Sequence, residues 1–245
     1  MGLKGKYALI TGSSRGIGKG IALALAESGV NVAVHYFQNQ GAAIETLGQI
    51  RKRGSDGFLV QADIMRPDQI RAMFRKLNRE FGKLDIFVCN ARPEAPTFYQ
   101  PPLEISLKQW DTALDSQATA FLIGVRETLP LMNEGGRIFA ITYAQGSRTG
   151  GLQPWVGMGS AKAALESLVR YFAVAVAKRG VTVNAISPGW TEDSVMNTLP
   201  EQVQHLIRDW HSRGWTPMGR LGTPSDVGDV VSLLCSENRA GSPGR

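Results

Sequence analysis

The stretch TGSSRGIG, Thr11 to Gly18, decides how the rest of the chain is read. It closes the apolar run YALIT and opens GIALALAES, whose apolar residues recur at helical spacing, and a second strand-like run, VNVAVHY, comes next. Strand, glycine loop, helix and strand make one βαβ unit. The loop lies where the N–H groups and dipole of a helix N-terminus favour a phosphate. Gly12, Gly16 and Gly18 let the backbone turn tightly and approach a dinucleotide pyrophosphate, with the spacing GxxxGxG in place of the commoner GxGxxG.

Outward from this unit the alternation continues. A polar helix is predicted near 40–53, then strand GFLVQAD, a helix over 67–81, strand LDIFVCN, a long helix near 107–132 and strand GRIFAIT. A helix over 154–178, strand VTVNAIS and helical segments after Pro200 and Pro224 follow. No Pro/Gly-rich linker divides the series. Apolar strands alternating with helices imply a parallel sheet between two helical layers, hence one α/β doubly wound, Rossmann-type domain over residues 1–245. The end, SENRAGSPGR, adds no further strand.

Composition excludes several functions. No apolar run reaches the roughly 18 residues that a membrane span needs. The start, MGLKGKYALITG, has no signal-peptide core, and Lys6 stands where a myristoylation signal wants Ser or Thr, so a cytoplasmic protein is expected. Cys89 and Cys235 are far apart and fit a reducing compartment and burial better than a disulfide. His35, His205 and His211 form no HExxH or CxxC arrangement, so no metal is expected. The 27 basic residues exceed the 21 acidic ones but are scattered, which argues against nucleic acid and leaves attraction to acidic or phosphorylated small partners.

Four further segments stand in a telling order: ADI at 62–64, CNA at 89–91, VNAISPG at 183–189 and PMGRLGTPSDVGDVV from Pro217. With the TGxxxGxG loop, they make the chain resemble the short-chain dehydrogenase/reductase family over essentially its whole length. The resemblance implies that Gly12, Ser14, Arg15, Gly16, Ile17 and Gly18 cradle the cofactor and that Asp63 and Ile64 meet its adenine. It also implies that Asn90 and Ala91 border the cofactor, and that Pro188, Gly189 and Thr191 flank the nicotinamide. An acid after the second strand would bond the ribose 2′-hydroxyl and repel a 2′-phosphate. That strand ends HYFQNQ, with no acid, and Arg15 can meet a phosphate, so NADP(H) is the expected cofactor.

The family's reacting residues are altered. Most members pair Tyr and Lys as YxxxK with an Asn and a Ser; here Lys162 matches, Met158 stands in the tyrosine position, Gln117 replaces Asn, and Tyr143 lies nearest the serine position after Thr142. A branch of the family, the enoyl-acyl-carrier-protein reductases, places its tyrosine seven residues before the lysine with a methionine between. WVGMGSAK resembles that arrangement, with Trp155 as the tyrosine, Met158 as the methionine and Lys162 as the lysine. Reduction of an enoyl thioester makes an enolate that needs a hydrogen-bond donor more than an acid. The expected activity is therefore NADPH-dependent reduction of an enoyl-CoA or enoyl-carrier-protein double bond. Lys162 is expected on the nicotinamide ribose, Tyr143 at the thioester oxygen, and Trp155 as a second donor or a wall.

Arg92, Trp155, Met158 and Trp190 are expected to line the substrate pocket. A lid at about 189–220, with Trp190, Met196, Leu199, Trp210 and Trp215, points to an apolar acyl group or to simple packing. Asp193 occupies the family's carboxamide-binding threonine position, where Thr191 or Ser194 would substitute. A homotetramer or homodimer is implied by the resemblance. Two other readings stay open: a ketone or 3-ketoacyl reductase with Tyr143 as acid, and a noncatalytic NADP-binding sensor or subunit.

Overall fold

The computed structural model describes residues 2–93, 100–143, 155–192 and 195–236. Six parallel strands form one sheet: β1 (Tyr7–Ile10), β2 (Asn31–Tyr36), β3 (Gly57–Gln61), β4 (Ile86–Cys89), β5 (Arg137–Ile141) and β6 (Thr182–Ile186). Their order is β3-β2-β1-β4-β5-β6. The chain steps outward from β1 to β3, then returns to lay β4 against β1, and this reversal opens a crevice at the strand C-termini.

Side chains alternate across the strands, so each face has its own core. Ala8, Ile10, Ile86, Val88 and Phe139 join a cluster with α1 (Gly16–Glu27), α2 (Gln40–Lys52) and α8 (Pro224–Cys235). Leu9, Phe87 and Ile138 face the other way, toward α3 (Pro67–Phe81), α5 (Ala120–Thr128) and α6 (Val156–Val176). Burial on both faces is why the strands read as continuous apolar runs. The α3 helix shows the complementary pattern. It buries Ile70, Met73, Phe74 and Leu77, one stripe at i, i+3, i+4 and i+7, and ends at left-handed Gly82, whose N–H donates to the Asn78 carbonyl. Both cysteines are buried and unpaired.

The expected long helix near 107–132 is interrupted. The α4 helix (Leu107–Leu114) opens with a Ser106/Gln109 capping box and passes through a wide π turn, Asp115–Thr119, into α5. Ser116 and Gln117 are buried in that turn, where the Gln117 amide donates to the carbonyls of Ser116 and Ala91. Those bonds draw Gln117 inward, and helical periodicity carries no sign of them. The helix expected over 154–178 begins at Val156 and closes with a 3-10 turn, Ala177–Arg179. After β6 come a short 3-10 turn, Val195–Thr198, and α7 (Glu201–Trp210), which leads into a second π turn, His211–Trp215. Among the described residues no helix is long and apolar enough to cross a membrane.

The α1 and α8 helices meet backbone to backbone. A Cβ at Gly20 would lie 2.2 Å from the Pro224 carbonyl oxygen, and one at Gly228 would lie 2.6 Å from the Gly20 carbonyl oxygen. Ser28 and Ser232 hydroxyls join the same pair of helices at 3.0 Å. Since neither carbonyl is a flexible group, Gly20→Ala is expected to cost about 1–3 kcal/mol of unfolding free energy, visible as a lower denaturant midpoint at unchanged m-value.

Candidate active site

The ends of β1 and β4 are laced together where the sheet reverses. Thr11 Oγ1 accepts from the backbone amides of Asn90 and Ala91 at 2.9 and 3.0 Å. Asn90 Nδ2 in turn donates to the carbonyls of Thr11 and Gly12 at 2.9 and 3.3 Å. Gly12 takes a left-handed φ of 68° against Ala91. At Gly18 a Cβ would stand 2.3 Å from the Gly12 carbonyl oxygen and 2.6 Å from Asn90 Nδ2. The loop therefore folds down on its own helix only because that position carries no side chain.

Ser14, Arg15, Gly16 and Ile17 form the rim of this loop and the first turn of α1, partly or fully exposed above the strand ends. Arg15 is the N-cap, with extended backbone and no side-chain cap bond. Thr46 of α2 anchors the Ser14 carbonyl at 3.1 Å, and no side chain of the N-cap residue bonds the first-turn amides of α1. Beyond β2, Phe37, Gln38 and Asn39 are exposed and none is acidic. Asp63 and Ile64 lie half-buried after β3, where Asp63 Oδ1 accepts from the Met65 amide and its own amide donates to Gln69. A glycine-lined cradle, an open helix N-terminus and a neutral second-strand end fit a dinucleotide, and these residues would hold it.

Lys162 reaches the crevice from α6. Its ammonium is buried, 6% exposed, and donates to Gln117 Oε1 and to the Ile141 carbonyl, each at 2.6 Å. Three donors leave one for a ligand. Burial holds Lys162 down at about 8; the Arg92 charge adds to that effect and the Glu166 carboxylate opposes it. Glu166, one helical turn along, accepts from Thr142 Oγ1 at 2.7 Å, so α6 clasps the end of β5 at two points. The Cys89 thiol, pushed up to about 11 by burial, stays neutral near neutral pH.

Tyr143 follows two residues after Ile141, and its phenol is pushed up to about 12 by burial. Its ring lies 5.8 Å from that of Trp155, which in turn lies 5.9 Å from Trp190, edge to face. These rings come from the ends of β5, α6 and β6 and make a half-buried aromatic corner. Trp155 is the N-cap of α6, with φ −125° and ψ 43°, so it lies outside the helical turns that carry Met158 and Lys162. Met158 is buried within the protein. Arg92 is half-buried and donates to the Pro93 carbonyl.

Pro188 and Gly189 follow β6, half-buried and exposed respectively. Thr191 is buried in a bridge to Gly222. Asp193 and Ser194 lie outside the described residues. Met196 packs with Ile207 and Leu221, with Trp190 and Leu199 against them. Trp210 and Trp215 instead stack on each other, 5.5 Å apart at 18°, and are exposed. Two residues stand at the site with no motif to mark them: Glu166 and His35. The only sequence hint is Glu166 at i+4 from Lys162 and a histidine inside an otherwise apolar strand.

Comparison with known proteins agrees with this geometry. A family profile described as Enoyl-(Acyl carrier protein) reductase matches residues 12–244. Tetrahydroxynaphthalene reductase PfmaG of Pestalotiopsis fici is 32% identical over 241 residues, covering 95% of this chain and 86% of that protein. The 1-cyclohexenylcarbonyl-CoA reductase of Streptomyces collinus is 32% identical over 238 residues, with 95% and 81% covered. The crystal structure of angucycline C-6 ketoreductase LanV with bound NADP superposes with a TM-score of 0.86 at 32% identity, covering 98% of this chain and 91% of that one. The chain belongs to the short-chain dehydrogenase/reductase family and is an oxidoreductase of that family.

The Gln117 to Lys162 bond can be tested directly. Gln117→Leu removes an acceptor from a buried ammonium and is expected to destabilise the fold by about 2 kcal/mol at pH 7, measured by denaturant unfolding. The penalty should shrink at pH 9, above the value of about 8 at which Lys162 gives up its charge.

Proposed function

We propose that this protein reduces a ketone to an alcohol with NADPH, on a substrate that carries a flat conjugated or aromatic ring, with Tyr143 as the proton donor. The observation that carries the reading is the convergence of Tyr143 and Lys162 on the C-terminal end of β5, one past the strand and the other bonded to its last carbonyl. The nicotinamide, when bound, supplies the hydride that the carbonyl carbon takes up. Tyr143 gives its phenolic proton to the oxygen as charge develops there and recovers it from water. A phenol held at about 12 keeps its proton throughout the neutral range, and an alkoxide is basic enough to take it. Lys162 supplies positive potential and one N–H toward the cofactor ribose, with Gln117 holding its ammonium in place.

The aromatic corner of Tyr143, Trp155 and Trp190 supports a flat substrate, since ring faces and edges favour offset or edge-to-face aromatic partners. Reductases named for hydroxynaphthalene and angucycline substrates among the relatives support the same reading. We take 189–220 as a lid on this single domain, with Arg92 at the mouth. NADP in place of NAD is supported by Arg15 at the helix N-terminus, the acid-free end of β2, and the NADP bound in LanV.

A second reading keeps the same residues and changes the substrate. The relative named 1-cyclohexenylcarbonyl-CoA reductase is as similar as the hydroxynaphthalene reductases, which favours a conjugated acyl-CoA whose enolate oxygen Tyr143 would bond.

NADPH oxidation with aryl ketones set against matching 3-ketoacyl-CoA and enoyl-CoA thioesters separates the two. Turnover of the ketones is expected; turnover confined to the enoyl compounds would move the assignment to the second reading, and NADPH binding without turnover of any substrate would leave a noncatalytic protein. Tyr143→Phe should lower ketone turnover by about 10²-fold with little change in NADPH affinity. Arg15→Ala should weaken NADPH more than NADH, and equal losses would remove the 2′-phosphate assignment. Turnover is expected to fall as pH rises through about 8, where Lys162 loses its charge, while Tyr143 stays protonated across that range.

A further inference from the structure

The glycine loop is held from beneath by a side chain that belongs to no dinucleotide-binding motif. His35 stands near the end of β2, buried in the sheet. Its Nδ1 accepts from the Gly12 amide at 2.8 Å, and its Nε2 lies 3.1 Å from the Ala62 carbonyl oxygen. A backbone N–H can only donate, so Nδ1 carries no proton and Nε2–H donates to Ala62. The other tautomer would set N–H against N–H at Gly12 and leave a bare nitrogen facing a carbonyl.

The backbone of the same residue holds the next loop position. The His35 amide donates to Ser13 Oγ at 2.9 Å, and the Ser13 amide donates to the His35 carbonyl at 3.1 Å. Gly12 and Ser13 are thus fixed by three groups of one residue, outside the regular strand ladder. The Gly12 N–H shares its peptide with the Thr11 carbonyl, so turning that N–H down to His35 leaves the carbonyl to accept from Asn90 Nδ2 at 2.9 Å.

We propose that His35, as its neutral Nε2–H tautomer, is a positioning residue of the dinucleotide site: it fixes the Gly12 peptide and thereby sets the affinity for the cofactor pyrophosphate. The proposal rests on the reading of the glycine loop as a nucleotide site. An apolar side chain at this position would fill the space but leave the Gly12 amide without its acceptor, so the Thr11–Gly12 peptide at the base of the glycine loop would no longer be held in one orientation. Asparagine keeps the acceptor for Gly12, its Oδ1 standing where Nδ1 does, while its shorter amide gives up the bond to Ala62.

The test uses the full chain and its His35→Leu and His35→Asn variants, with NADPH affinity read by fluorescence titration and the His35 tautomer read from ring nitrogen chemical shifts. The wild type should show Nε2–H near neutral pH. His35→Leu should bind NADPH about tenfold more weakly, and His35→Asn within about threefold of wild type. An Nδ1–H tautomer, or a folded leucine variant that binds as tightly as wild type, would overturn the proposal. Should the leucine variant not fold, the asparagine variant carries the test, and tenfold weaker binding by it would overturn the proposal as well. Wild-type protein that bound neither NADPH nor NADH would overturn the cofactor reading itself, an outcome distinct from equal binding by wild type and variant.

Discussion

One hydroxyl, that of Thr11, joins the two halves of the sheet where their strand order reverses. By accepting from two successive amides of the 90–91 segment, it sets the ends of β1 and β4 side by side, and Asn90 returns the bond to the glycine loop. Such bonds contribute only about 1 kcal/mol each to stability. Their larger effect is geometric, because the loop, the start of α1 and the segment carrying Arg92 all leave from this seam. Gly18 packs against the same seam, where a Cβ would meet both the Gly12 carbonyl and Asn90 Nδ2.

Across the crevice a second set of contacts does comparable work with charge. Lys162 is buried at a cost, since burial disfavours its ammonium. The cost is offset by two short bonds, one to the end of β5 and one to Gln117. Gln117 stands where most of the family has Asn, and its longer arm spans from the π turn to the ammonium while its amide nitrogen holds Ala91. The replacement therefore keeps α4, α6 and the β4 end connected, although the group that makes the connection differs.

How much of this was legible in the sequence follows from the range of the interactions involved. The strands and most helices declare themselves by apolar period, as α3 does with Ile70, Met73, Phe74 and Leu77, because each face need only find a core. The glycine loop is legible for the same local reason. The π turn, His35 and Glu166 are not, since each is fixed by a partner distant in sequence or by a choice of hydrogen bond that leaves no periodic mark. Trp155 shows the limit most clearly. WVGMGSAK resembles the enoyl reductases through the spacing of Trp155, Met158 and Lys162, and spacing carries no sign of where a helix begins. Trp155 precedes the helix, and its surroundings are Tyr143 and Trp190.

The backbone contact between Gly20 on α1 and Gly228 on α8 has a consequence for how such a protein diversifies. Enlarging either residue pushes on a helix whose first turn continues the glycine loop, so this side of the chain has little room to drift. The three rings of the opposite mouth hang half-buried from separate strand and helix ends. Selection can exchange the two tryptophans one at a time while Tyr143 stays, and new substrates become reachable through changes that leave nucleotide recognition where it was.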